Sequence, residues 1–347
     1  MKILNIQNIL VPIDFSTMSI QAVTTARRLA RRYGAGIHLA HVRHSDYIAT
    51  FSPPAPPFAP FPLMSYEPEL DKSVIKKLNA LAREHGISSA ICHVLVGGPV
   101  FDEICRLAQK IPADLIMMPT HGRSGLKHVF LGSTAERIVQ HSPCPVLVTR
   151  AGGLHSKNGS PVTVKTILVP VDFSDCSRKA LEYAIGFVNG FGARLILLHA
   201  TWLGYIYSSE GTAIYDVRGL QKVARENAER QMRNLVRAVD FGRTKIETVF
   251  TEGSPVIDIC DFAKDHDVDL IITSTHGLTG LEHVLIGSIA EQVVRRAPCG
   301  VLVVPSHPHR RVVMLAKRSG RIAGKTTTAR LQKSWRGKAP ASSTQIA

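Results

Sequence analysis

NILVPIDFS, residues 8–16, returns as TILVPVDFS, residues 166–174, displaced by 158 positions. Each copy is a short apolar, β-branched run ending on an aspartate and followed by a serine able to cap a helix, which reads as a buried strand turning into a helix. The repetition continues. DLIMMPTHGRSGLKHVFLGSTAERIV from Asp114 matches DLIITSTHGLTGLEHVLIGSIAEQVV from Asp269, and SPCPVLV then matches APCGVLV, both displaced by 155. Such self-similarity marks a tandem duplication. The expected units are 1–150 and 164–305, joined by a Gly-, Ser- and Asn-bearing linker at 151–163 that reads as flexible and followed by a tail at 306–347.

Within each unit, strand-like runs alternate with helical periods, which predicts βαβ units and a parallel sheet with helices on both faces. The first unit should hold strands at residues 8–12, 36–42, 91–96, 114–119 and 145–149. Ser16 should cap the first helix, whose apolar positions include Ile20, Val23 and Leu29, and Gly34 should close it; Ser174 should repeat the cap. The second unit should carry a long helix ending near Val239. The units differ most between strands two and three, where the first inserts a segment with seven prolines, read as a loosely packed loop.

Composition excludes several classes. Of 347 residues, 45% are hydrophobic and 20% charged, as in a globular protein. The net charge of +15 is mostly local, because residues 306–347 hold ten basic and no acidic residues, leaving 32 basic against 27 acidic elsewhere. That tail reads as a disordered basic extension suited to weak, salt-dependent attachment to nucleic acid or an anionic surface. The excess therefore cannot be read as a nucleic-acid-binding face on the folded body. Six cysteines without a CxxC pair fit a reduced, cytoplasmic location, and the longest uncharged stretch, Tyr47 to Tyr66, contains six prolines and cannot span a membrane. The GxxxGKT of residues 320–326 is one residue short of a P-loop and is a decoy.

The strongest chemical signal follows strand four of each unit. A Thr-His-Gly turn is followed, after nine residues, by Gly132-Ser133 in one unit and Gly287-Ser288 in the other. Glycine lets a backbone approach an anion closely, and a Gly-Ser pair opening a helix adds a hydroxyl, amide donors and the positive end of the helix dipole. That pattern suits phosphate. Asp14 and Asp172 end the two first strands on the same sheet edge, where a carboxylate accepts hydrogen bonds from ribose hydroxyls or an adenine amino group. Alone, each would read as a carboxylate complementing the next helix dipole. His121 and His276 read as loop-bracing rings, and His38, His41 and His44 lie on a strand of alternating faces rather than in a metal cluster.

PxDFS, Gly-x9-Gly-Ser and (S/A)PCxVLV, in this order and twice over, resemble the universal stress protein family in its tandem form. The resemblance covers roughly residues 6–305. It implies two Rossmann-like, adenine nucleotide alpha-hydrolase-like domains, each a five-stranded parallel sheet of order 3-2-1-4-5, paired through their fifth strands within one chain. It further implies ATP binding, possible companion magnesium, a regulatory role in stress response, and at most weak hydrolysis. By position, the base would lie near Pro12, Asp14 and Val42, and the phosphates near Gly122, Gly132, Ser133 and Thr134. The second site would use Pro170, Asp172, Ala200, Ser274, Gly277, Gly287, Ser288 and Ile289. The family's first loop glycine is Pro119 in one unit and Ser274 in the other, and proline has no N–H to offer, so the second site should bind better. Alternatives are a slow ATPase and a partner-binding module with degenerate sites, and a further homodimer stays open.

Overall fold

The computed structural model describes residues 2–44, 68–120, 131–150, 154, 164–201, 217–242, 244–277, 287–306 and 315–316. The Pro-rich segment, His121, Gly122, most of the linker and nearly all of the basic tail, including the GxxxGKT decoy, lie outside these residues. In the first unit the elements are β1 (Lys2–Ile3), β2 (Asn8–Pro12), α1 (Thr17–Tyr33), β3 (Gly36–His44), α2 (Pro68–Glu84), β4 (Ile91–Gly97), α3 (Val100–Lys110), β5 (Leu115–Pro119), α4 (Ser133–His141) and β6 (Val146–Thr149). In the second they are β7 (Thr166–Pro170), α5 (Asp175–Phe191), β8 (Arg194–Thr201), α6 (Val217–Ala238), β9 (Ile246–Glu252), α7 (Pro255–Asp265), β10 (Leu270–Ser274), α8 (Ser288–Arg296) and β11 (Gly300–Val304). Leu315–Ala316 forms β12, which pairs antiparallel with β1.

Local chemistry sets these boundaries as expected. Ser16 and Ser174 cap α1 and α5, their hydroxyls accepting from the amides of Ser19 at 3.2 Å and Ser177 at 3.1 Å. Gly34 and Gly192 end the same helices in the left-handed region at φ 70°. Asp114 and Asp269 fasten the starts of β2 and β7, each carboxylate accepting from two successive backbone amides at 2.7–3.0 Å.

The main sheet has ten strands in the order β4-β3-β2-β5-β6-β11-β10-β7-β8-β9. Each half is parallel, with its own strands ordered 3-2-1-4-5, and the two fifth strands meet antiparallel through Val146–Val303, Leu147–Leu302 and Val148–Val301. These six side chains are at most 1% exposed, so the join is part of the core rather than a wet interface. One apolar layer, under α1, α2, α5 and α6, is continuous across both units; the other lies under α3, α4, α7 and α8. Leu154, inside the linker expected to be flexible, is buried and pins the connection to the first layer. No described helix is long and apolar enough to cross a membrane.

Repeat-equivalent positions differ where α1 crosses α5. Arg28 and Arg32 of α1 correspond to Gly186 and Gly190 of α5. Arg32 donates to the Gly190 carbonyl and lies 4.6 Å from the Phe191 ring centroid, while Tyr33 stands edge-on to Phe187 and Phe191. Leu4 from the first unit fills the space above Gly186. Across the opposite layer, Arg295 bridges to Glu136 at 2.9 Å, and Arg150 donates to the carbonyls of Val294 and Arg295 at the end of α8.

A histidine pair marks the outer edge of the first unit. His38 Nδ1 and His93 Nε2 are 3.0 Å apart, and the rings stack with centroids at 5.3 Å. One nitrogen must be bare for this bond to exist, so the pair can carry at most one of the two added protons without losing it. Burial lowers both pKa values, and His38 and Lys110 lower that of His93 further. Because the folded values lie below the unfolded one, the unfolded chain takes up more protons as pH falls. Stability should therefore be full above about pH 6.5 and decline below it. A His38→Phe/His93→Phe variant should show a shallower decline in denaturation midpoint between about pH 7 and 5. Parallel curves for the two proteins would refute the assignment.

Candidate functional site

The strand order reverses between β2 and β5 in one unit and between β7 and β10 in the other, since the chain leaves β2 and β7 toward one side and reaches β5 and β10 on the other. Beyond the carboxyl ends of such a strand pair a crevice opens. Pro12, Asp14 and Val42 stand at this edge in the first unit, as do Pro170, Asp172 and Ala200 in the second.

In the second unit the carboxylate and the glycine turn meet. A Cβ placed on Gly277 would lie 2.5 Å from the Asp172 Oδ2, so only glycine leaves the carboxylate its place. Asp172 Oδ1 accepts from the Ser174 amide at 3.0 Å and its hydroxyl at 2.6 Å. Asp14 and Ser16 repeat this arrangement at 2.9 and 2.6 Å. One oxygen of each aspartate thus shapes the turn, while the other in the second unit faces the loop.

The amides of Gly132 and Gly287 need a correction. They do not point outward as free donors: Gly132 donates to the Thr120 carbonyl at 2.9 Å and Gly287 to that of Thr275 at 2.6 Å. These bonds tie each loop's end to its beginning and set the helix start beside the strand end. The amides of Ser133 and Thr134, and of Ser288 and Ile289, fall in the first turns of α4 and α8, where no carbonyl of the same helix can pair with them. Ser133, Ser288 and Ile289 are exposed and Thr134 half-exposed. Donors, dipole and open space coincide there.

Ser274, in the place of the family's first glycine, turns its hydroxyl to the His276 carbonyl at 2.7 Å, and Thr275 Oγ1 lies 2.9 Å from His276 Nδ1 and accepts from the Ser306 amide at 3.2 Å. The ring of His276 is bound to its own loop. Pro119 ends β5 buried, paired with Thr149. Among the described residues no group of three or more His, Cys, Asp or Glu could hold a metal ion.

The bracing role of two residues per unit escaped the sequence reading, which took His41 only as one of several strand histidines. His41 Nδ1 binds the Ile13 carbonyl at 2.6 Å and His199 Nδ1 binds that of Val171 at 2.7 Å. Phe15 and Phe173 adopt φ values of 62° and 67°, with ring centroids 4.9 and 4.6 Å from His41 and His199. The signal was present: each histidine stands 28 residues after the carbonyl it binds, in both copies.

Each unit is thus a doubly wound α/β sheet with a carboxylate and a helix start beside its strand reversal. The sequence model of the universal stress protein family matches residues 5–150 and 163–305, and the chain belongs to that family. Universal stress protein MJ0531 of Methanocaldococcus jannaschii is 31% identical over 140 residues, covering 40% of this chain and 81% of that protein. Universal stress protein MJ0577 of the same organism is 30% identical over 155 residues, covering 41% and 96%. Among solved structures, a functionally unknown protein, PA1789, from Pseudomonas aeruginosa superposes at TM-score 0.60 with 20% identity, over 86% of this chain and 92% of that one. A universal stress protein from Archaeoglobus fulgidus superposes at 0.56 with 20% identity, over 86% and 96%. The structural matches span both units, which extends the likeness in fold to the tandem arrangement.

Proposed function

We propose that this tandem universal stress protein is a regulatory module that holds an adenine nucleotide, ATP with companion magnesium, and that its second unit carries the tighter site. The observation that supports this most is the meeting of Asp172 with Gly277 at the strand reversal, on the same turn to which Gly287 ties the open first turn of α8 through the Thr275 carbonyl. The residues fit the ligand's chemistry. Asp172 offers an acceptor for ribose or adenine, Pro170 and Ala200 flank it, and the amides and hydroxyl of Ser288 and Ile289 offer donors to phosphate. Magnesium needs no protein cage, because it is commonly carried by phosphates and water. In the first unit Asp14, Val42, Gly132, Ser133 and Thr134 repeat the layout, but Pro119 has no amide proton to lend. That difference underlies the ranking of the sites.

The test is to purify the protein without added nucleotide, denature it, and identify and count the released small molecule, then titrate emptied protein with ATP and magnesium by calorimetry. Close to one ATP per chain is expected. Gly287→Val should abolish this binding while preserving the fold: a Cβ there meets Thr275 O at 3.4 Å, an ordinary contact, whereas the larger side chain stands before the helix start. ADP in place of ATP would favour slow hydrolysis. An empty chain that gives no heat with ATP would overturn the proposal in favour of a partner-binding module.

A further inference from the structure

We propose that His41 and His199 are positioning residues, each latching the turn that carries Asp14 or Asp172 at the strand reversal, where Asp172 meets Gly277; the inference rests on the nucleotide reading for its effect on affinity. A carbonyl oxygen only accepts, so the contacts to Ile13 and Val171 require the proton on Nδ1 and leave Nε2 bare in the neutral ring. The bound carbonyl belongs to the residue immediately before the aspartate. The residue immediately after it is a phenylalanine in the left-handed region, which bulky side chains rarely enter and keep only when the surroundings enforce it. Here the enforcement is visible on both sides. The histidine holds the preceding carbonyl, its ring supports the phenylalanine ring, and the aspartate's own Oδ1 takes the serine amide and hydroxyl beyond.

The same five-residue device occurs in both units with matching partners and bond lengths, although β3 and β8, which supply the histidines, have diverged. In the second unit Phe250 adds a third ring, edge-on to His199 with centroids 6.5 Å apart. Burial keeps His199 below its usual pKa despite the opposing pull of the Val171 carbonyl and Asp172. Protonation would leave the Nδ1–H bond intact, so the device is a fixed brace and not a pH switch. Remove the brace, and the turn is free to relax the phenylalanine and swing the carboxylate away from Gly277.

The full chain with His199 changed to Asn, Gln or Leu distinguishes bracing from mere packing. Asparagine places an amide donor the same number of bonds from the backbone as Nδ1, whereas the glutamine donor sits one bond further out. Two readouts are taken: ATP affinity at the second site and the hydrogen-exchange rate of the Ser174 amide, which donates to Asp172. Loss of one hydrogen bond predicts about tenfold weaker affinity for Gln and Leu, with Asn within about threefold of wild type. Ser174 exchange should accelerate in Gln and Leu and stay slow in Asn. Unchanged Ser174 exchange in Gln or Leu overturns the latch whether or not ATP binds, and so does an Asn variant as impaired as Gln. Should Leu fail to fold, the Asn and Gln pair decides. If the wild-type chain binds no ATP, the nucleotide reading fails separately, and Ser174 exchange still judges the latch.

Discussion

Replacing Gly277 with valine is expected to weaken ATP binding at the second site by about 10- to 100-fold, equivalent to about 1.4 to 2.8 kcal/mol. The cause is geometric. The new Cβ would lie 2.5 Å from Asp172 Oδ2, a distance that no side chain accepts, so either the carboxylate or the loop must move. Hydrogen bonds to a charged group contribute about 1.5 to 3 kcal/mol, which sets the scale of the loss when the carboxylate no longer meets the ligand. Gly277 is half-exposed and the strain is local, so the unfolding free energy should change by less than about 1 kcal/mol. Calorimetric titration beside a denaturation curve separates the two effects. Wild-type affinity in a folded Gly277→Val protein would show that Asp172 takes no part in binding. The contrast with Gly287→Val is informative, because that change obstructs the helix start and leaves Asp172 undisturbed.

How far such sites can be read from sequence depends on what the chemistry leaves in the chain. The buried strands were legible because ILVP and LIMM are continuous apolar runs, and the helix limits because Ser16, Ser174 and Gly34 act locally. Strand ends were less so. β3 runs to His44 rather than Val42 because its partner continues to Gly97, and pairing length belongs to two strands at once. The glycine loops were visible through their repeated spacing, but the direction of the Gly132 and Gly287 amides was not, since closing the loop onto Thr120 and Thr275 is a fact of three dimensions. His41 and His199 looked like ordinary strand residues. Their significance lies in a carbonyl on the neighbouring strand, which only the parallel pairing of β2 with β3 and β7 with β8 brings within reach.

Gly186→Val should destabilise the whole chain by about 2 to 4 kcal/mol, the range for overpacking a buried contact together with loss of a buried leucine. A Cβ at Gly186 would stand 2.4 and 2.5 Å from Leu4 Cγ and Cδ1, and Leu4 is 2% exposed, so the leucine would be driven out of the layer shared by both units. The gain in helix propensity on replacing glycine is below about 1 kcal/mol and cannot offset this. Gly36→Ala serves as the control: its Cβ would meet Gln7 O at 3.6 Å, an ordinary contact, at an exposed position, and the expected change is within about 0.5 kcal/mol. The argument extends to Gly190, where Tyr33 Oη would be 2.7 Å from a new Cβ. Since Arg28 and Arg32 occupy the equivalent positions of α1, two first units facing each other would set arginines against arginines, and two second units would leave the glycine faces unfilled. Leu4 packed on Gly186, with Arg32 and Tyr33 on Gly190, therefore couples the two units through their shared layer. Chemical denaturation of Gly186→Val should accordingly show one transition at a lower midpoint for both halves. A second unit that melts alone while the first keeps its wild-type midpoint would refute that coupling.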